Sequence, residues 1–252
     1  MNVTVQAVIR SVFPNDVLRS LTTLRRKHRL QWPRAGSIEF GDFARLKPVS
    51  RIFGIDRGQV IDRYYIEAFL KQNASAITGR CLELGDPYYI EKFGQGVTRA
   101  DVLHYVEGNP QATIVGDLTD APHIADNTFD CIIFTQTIQM IYEPRAAFQT
   151  LHRILKPGGV ALVTSAGIAK IGRRLGRDPW GEYWHFTAQS MDRMVREFWP
   201  AEGISVTTYG NVMSACCFLH GLAAEELLPE QLDARDEDFE VIVAARLQKE
   251  RA

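Results

Sequence analysis

RCLELGD, residues 80–86, is the stretch on which the reading of the chain turns. Cys81, Leu82 and Leu84 are apolar, and the run breaks at Gly85. Glu83 sets a carboxylate inside an otherwise buried-looking strand, which is costly unless something pairs with it. Gly85 lets backbone approach a ligand where a side chain would block it. A strand that ends in glycine and runs on into acidic and turn residues is how an open α/β sheet presents a site at its carboxyl edge. Taken alone, the stretch fits a core strand ending in a turn equally well.

Upstream, residues 59–73, QVIDRYYIEAFLKQN, predict a helix leading directly into that strand. Ile61, Tyr65 and Phe69, with Val60, Tyr64 and Ala68, recur at i, i+4 and i+8, giving one broad apolar face. Arg57, Asp62, Arg63 and Tyr64 set polar groups at its start. Residues 1–58 read as a partly helical extension, with helical spacing over 16–30 and breaks at Pro33, Gly36, Gly41 and Pro48. The expected division is this extension, capping a substrate and cofactor site, followed by a catalytic domain over 59–252.

Downstream, strands and helices alternate. Residues 97–103 predict a second strand with Asp101 near its end, 18 positions beyond Glu83. Residues 112–116 predict a third, capped by Asp117 and Leu118. FDCIIF, residues 129–134, is a continuous apolar run, as in a strand buried on both faces. Pro144 opens a helix whose stripe is Ala147, Leu151, Ile154 and Leu155. KPGG, residues 156–159, stops it before a strand over 160–164. Thr187 is a helix cap, and residues 204–209 and 241–245 complete a strand pair. Such alternation implies a doubly wound, mainly parallel sheet covered on both faces.

Composition narrows the class. With 252 residues, 46% hydrophobic and 23% charged, the chain can bury a sizeable core. No apolar run reaches the roughly 18 residues of a membrane span, and the first residues lack the pattern of a secretory leader. The four cysteines lack metal-ligand spacing, which predicts reduced thiols in a cytoplasmic protein and no metal site. Net charge is −1, yet residues 1–60 hold 11 Lys and Arg against 4 Asp and Glu. The basic run LRRKHRL, residues 24–30, suits a solvated helix face; it lacks the interleaved aromatics of RNA binding, so nucleic acid is not the expected partner.

In this order the motifs resemble those of the class I S-adenosylmethionine-dependent methyltransferases, in the subgroup with a helix–KPGG–strand signature. The resemblance covers residues 60–210 and implies a seven-stranded Rossmann-like sheet and S-adenosyl-L-methionine as cofactor. LELGD corresponds to the first motif but keeps one of its three glycines. The resemblance implies that Glu83 and Gly85 meet the methionine tail, with Arg63 and Tyr64 (or Tyr65) near its carboxylate. It implies Asp101 on the ribose hydroxyls, Asp117 on the adenine amine, Val102 and Leu118 about the adenine ring, and Thr135 beside the cofactor.

The acceptor is expected above the fourth strand and after the fifth, at Gln136, Gln139, Tyr183 and Trp184. Residues 167–187 read as an aromatic lid that includes Trp180, with Arg173, Arg174 and Arg177 available to an anionic acceptor. His185 is the expected general base, since an imidazole ordinarily titrates near neutrality. The function expected is methyl transfer, favouring oxygen, to a small-molecule or glycan acceptor; a homodimer is compatible with the sequence. The rival readings are a cyclising enzyme of the same fold and a non-catalytic binding protein.

Overall fold

The structure is a computed structural model and describes residues 14–172 and 181–251. Trp180, Arg173, Arg174 and Arg177 lie outside the described residues. The chain divides into two compact units after Leu46. In the first, helix α1 (Asn15–Lys27) carries Asp16 in its first turn and Arg25, Arg26 and Lys27 in its last. That is the charge order a helix dipole favours.

The second unit begins at Lys47, not at Gln59 as the sequence suggests. Residues 47–58 are built into it. Val49 and Ser50 donate their amides to the His220 carbonyl at 2.8 and 3.0 Å. Ser50 is buried and donates its hydroxyl to Asp56 at 2.6 Å. Gly54, at φ +88°, lies so close that a Cβ would stand 2.8 Å from the carbonyl oxygens of Gly221 and Leu222, so only glycine fits there.

Helix α2 (Ile61–Gln72) leads into strand β1 (Gly79–Leu84). Helix α3 (Tyr88–Phe93), β2 (Val97–His104), β3 (Ile114–Val115) and β4 (Phe129–Thr135) follow. Helix α4 (Pro144–Ile154) then feeds β5 (Leu155–Ala166). Helix α5 (Ala188–Val195), β6 (Ile204–Tyr209), helices α6 (Val212–His220) and α7 (Pro229–Asp233), and β7 (Ile242–Gln248) complete the unit.

The seven strands form one sheet in the order β3-β2-β1-β4-β5-β7-β6, with β7 alone antiparallel to its neighbours. This is the Rossmann-like methyltransferase architecture that the motif order implied. The strand order reverses between β1 and β4, and open α/β sheets bind ligands outside the carboxyl ends of the strands at such a switch point. Here those ends are Gly85 and Thr135.

Local chemistry explains the frame. Phe129, Cys131, Ile132, Ile133 and Phe134 of β4 are fully buried, as an inner strand requires. Pro144 starts α4, and Ala147, Phe148, Leu151 and Ile154 close on the core. KPGG is drawn into β5, which begins at Leu155. Gly158, at φ +79°, donates its amide to the Lys249 carbonyl at 3.0 Å. Lys249 Nζ in turn donates to the carbonyls of His152 and Leu155 and to Asn127 Oδ1, closing the end of α4. Thr187 caps α5 as expected, accepting the Ser190 amide at 3.2 Å. Cys81 and Cys131 are direct partners across β1 and β4, and both are buried free thiols. Among the described residues no helix is long and apolar enough to cross a membrane.

Candidate active site

Glu83 points into the space between β1 and α3. Its oxygens accept the Tyr89 amide at 3.0 Å and the Ile90 amide at 2.8 Å. Burial pushes its carboxyl up to about 7, against the opposing pull of those two amides. Glu83 therefore ties the loop after β1 to the strand. Gly85 follows at φ +88°, and a Cβ there would meet nothing within 4 Å. It is a left-handed backbone position facing open space, anchored by its amide on the Leu103 carbonyl. Asn109 Nδ2 donates to the Gly85 carbonyl at 2.6 Å, so the helix-free link between β2 and β3 crosses the end of β1.

Asp101 lies elsewhere. It pairs with Leu82 in the middle of β2 and is fully buried. Arg80 Nε donates to it at 2.6 Å, Arg99 at 2.9 Å and the Thr113 hydroxyl at 3.0 Å. Burial alone would raise its pKa; the hydrogen bonds from Arg80, Arg99 and Thr113 outweigh that and hold the carboxyl below its usual range. The assignment to ribose hydroxyls is thus corrected: no part of the Asp101 carboxylate is exposed to a ligand. Val102 and Leu118 are both buried, Leu118 within the main core.

Asp117 and Thr135 do reach the carboxyl edge. Asp117 follows β3, is partly exposed, and accepts the Thr119 amide on one oxygen only. Thr135 ends β4 opposite Thr164 of β5. Arg63 is exposed on the first turn of α2. Tyr64 turns the other way: its hydroxyl donates to Asp233 at 2.7 Å, and it lines a 240 Å³ cavity with Tyr209 and Arg235. The hydrogen bond to Asp233 pushes its pKa up to about 12. Tyr65 packs beside Tyr209 and donates to the Leu232 carbonyl. The tyrosines of α2 therefore leave the cofactor assignment.

On the other side of the switch point, residues 181–186 dock on the ends of β4 and β5. Tyr183 and Trp184 donate their amides to the Gln139 carbonyl at 2.9 and 3.2 Å, and Phe186 donates to the Ala166 carbonyl at 2.9 Å. Trp184 Nε1 is fixed on the Ile141 carbonyl at 3.0 Å. The Tyr142 ring lies 5.2 Å from Tyr183 and 6.3 Å from Trp184, so three exposed aromatic rings form a patch. Gln139 Nε2 donates to Gln136 Oε1 at 2.9 Å, leaving Gln136 Nε2, Gln139 Oε1 and the Thr164 hydroxyl buried without partners among the described residues. Unsatisfied buried polar atoms are uncommon and call for an explanation.

Within the same segment, His185 Nε2 lies 3.4 Å from Glu182 Oε1, and the Glu182 side chain is 4% exposed. Glu182 also accepts the Gly172 amide. The sequence reading missed Glu182 and Tyr142, although a carboxylate three residues before His185 was a visible signal. Lys170, just past β5, lies over the Phe53 ring and carries a pKa lowered by burial.

Residues 88–163 match the family model described as a methyltransferase domain. No curated protein matches the chain. Among solved structures, the chain is similar to the [4+2]-cyclase SpnF, at 17% identity over 78% of this chain and 84% of that one, with a TM-score of 0.48. It is similar to DhpI in complex with S-adenosylhomocysteine, at 15% identity over 76% and 87%, TM-score 0.48. A further match is a putative methyltransferase from Bacillus halodurans, at 15% identity over 73% and 98%, TM-score 0.46. Residues 88–163 of the chain are thus similar to a methyltransferase domain.

Proposed function

We propose that this chain, which carries a methyltransferase domain on the class I fold, transfers a methyl group from S-adenosylmethionine to a hydroxyl of a polar, sugar-bearing small molecule. The observation that carries the reading is Gly85, an open, left-handed backbone position at the switch point of the sheet. A Cβ at this position would project into the space a ligand needs. The residues available there fit the cofactor: Gly85 as the floor, Arg63 for the tail carboxylate, Asp117 for the adenine amine and Thr135 at the end of β4.

When bound, S-adenosylmethionine supplies a methyl group already activated by its sulfonium. The protein's task is then alignment. Gln136 and Gln139 offer one free donor and one free acceptor group, which suits a hydroxylated ring. Tyr142, Tyr183 and Trp184 offer the aromatic faces on which the apolar side of a sugar stacks. His185 is the base: with Nε2 turned toward Glu182, Nδ1 takes the acceptor's hydroxyl proton as the oxygen is methylated. The three buried free thiols fit a reducing compartment such as the cytoplasm.

The test is incubation with methyl-labelled S-adenosylmethionine and an extract of hydroxylated metabolites. Label is expected in a sugar-bearing product as a methyl ether. Label on nitrogen or carbon would overturn the choice of oxygen, and no labelled product would overturn the transfer itself.

A further inference from the structure

In the first unit the basic residues are not matched by acids. Residues 15–34 hold six Lys and Arg against Asp16 alone. Arg19, Arg25, Arg26 and Lys27 of α1 are exposed, and none of them forms an ion pair among the described residues. The same helix carries Val17, Leu21 and Leu24. At about 100° per residue these three fall within an arc of about 60°, with Arg19 and Arg26 on the opposite side. All three are exposed, Leu24 by 53%. Beyond the helix, Trp32 is exposed by 96%, and Ile38 and Phe40 are exposed too. Among the described residues of this unit none is buried, so its apolar side chains have no core of their own. An exposed apolar patch bordered by polar groups marks an interaction surface.

The chemistry of the surface selects its occupant. A nucleic acid would take up the arginines and leave the apolar stripe in water. A groove on a partner protein takes one face of one helix, which leaves Trp32 and Phe40 uncovered. An anionic bilayer surface takes all of them. Its headgroup phosphates meet the arginines and Lys27, while the boundary of the acyl chains accepts leucines and a tryptophan ring. With 13 residues α1 is about 20 Å long, so it lies along such an interface and does not cross it.

We propose that α1 and the chain through Phe40 dock on an anionic lipid surface. Val17, Leu21 and Leu24 face the acyl chains, Trp32 sits at headgroup level, and Arg19, Arg25, Arg26 and Lys27 pair with phosphate. This docking goes beyond the proposed methyl transfer and does not depend on it.

The test is co-sedimentation of the full chain with vesicles of phosphatidylcholine alone, or of phosphatidylcholine and phosphatidylserine in equal parts. It is run at about 0.1 M and about 1 M salt, between which the Debye length falls from about 10 to about 3 Å. The chain should sediment with the anionic vesicles in low salt. Partitioning should fall by at least about tenfold on neutral vesicles or in high salt. Replacing both Arg25→Gln and Arg26→Gln should weaken it about 30-fold. Leu21→Gln keeps every charge and should weaken it about 10- to 150-fold, the worth of burying one leucine. Both variants should melt with the parent, since none of the replaced side chains is buried. Loss in the arginine variant with none in Leu21→Gln would mean adsorption by charge alone and would overturn the docking. Equal sedimentation with neutral and anionic vesicles would overturn the choice of lipid. No sedimentation with either vesicle would overturn the proposal outright. A parent dimer that Leu21→Gln dissociates would then assign the stripe to a second copy of the chain.

Discussion

Arg80 Nε stands 2.6 Å from Asp101 Oδ2, and this contact places Asp101 in the architecture of the sheet and outside ligand chemistry. Arg99 and Thr113 hold the other oxygen. Asp101→Ala would leave two arginines facing an emptied, buried site. Breaking a buried ion pair costs about 3–5 kcal/mol, and the partial exposure of both arginines points to the lower end. Urea denaturation should show a loss near 3 kcal/mol. Affinity for S-adenosylhomocysteine, measured on the folded fraction, should stay within about threefold. A selective loss of affinity with normal stability would restore Asp101 to the binding site.

His185 and Glu182 should act together. His185→Ala should reduce turnover by about 10²- to 10⁴-fold, the usual worth of a general base. Glu182→Gln keeps an acceptor for the Gly172 amide but removes the charge beside His185. It should lower kcat while leaving the KM for the cofactor unchanged, and combining it with His185→Ala should add little. Additive losses in the double variant would show that the two residues do not work as a unit.

The two raised carboxyls set a pH dependence. Glu83 is pushed to about 7 and Asp62 to about 6, both by burial. The folded protein therefore holds protons that the unfolded chain releases, and stability from these groups falls as pH rises from about 4.5 through 7. Asp101, held low, acts in the opposite sense and loses its contribution only in acid, below the ordinary carboxylate range. Asp62→Asn should gain melting temperature over the parent more at pH 8 than at pH 5. A constant difference across that range would mean that Asp62 ionises normally.

The unit boundary after Leu46 predicts two different truncations. Removing residues 1–46 should leave a soluble chain that melts cooperatively. Removing residues 1–58 deletes the Val49 and Ser50 bonds to His220 and the close fit of Gly54 on Gly221, so that chain should be destabilised or insoluble. Equal melting of both products would show that residues 47–58 add nothing to the fold.

Much of the fold was legible because it rests on local signals. The apolar run at 129–134, Pro144 at the start of α4, the glycines after it and Thr187 as a cap each act through nearby backbone. Helix α6 was legible too and was missed: Asn211 caps it and Gly221 ends it at φ +71°. The site was harder. Counting 18 residues from Glu83 to Asp101 measures chain length, whereas a ligand responds to register. In register Asp101 faces Leu82, well short of the edge at Gly85. Burial of Leu118 and the turn of Tyr64 toward Asp233 are likewise tertiary facts with no signature in spacing.

The most direct test is titration of the purified chain with S-adenosylhomocysteine by calorimetry, beside Gly85→Val. The parent should bind at a single site, and at 100 times Kd the ligand should stabilise it by about 2.7 kcal/mol, seen as a higher melting temperature. Valine at position 85 would fill the open space and strain a left-handed backbone, so the variant should fold and fail to bind. No heat and no thermal shift in the parent at millimolar ligand would contradict the account.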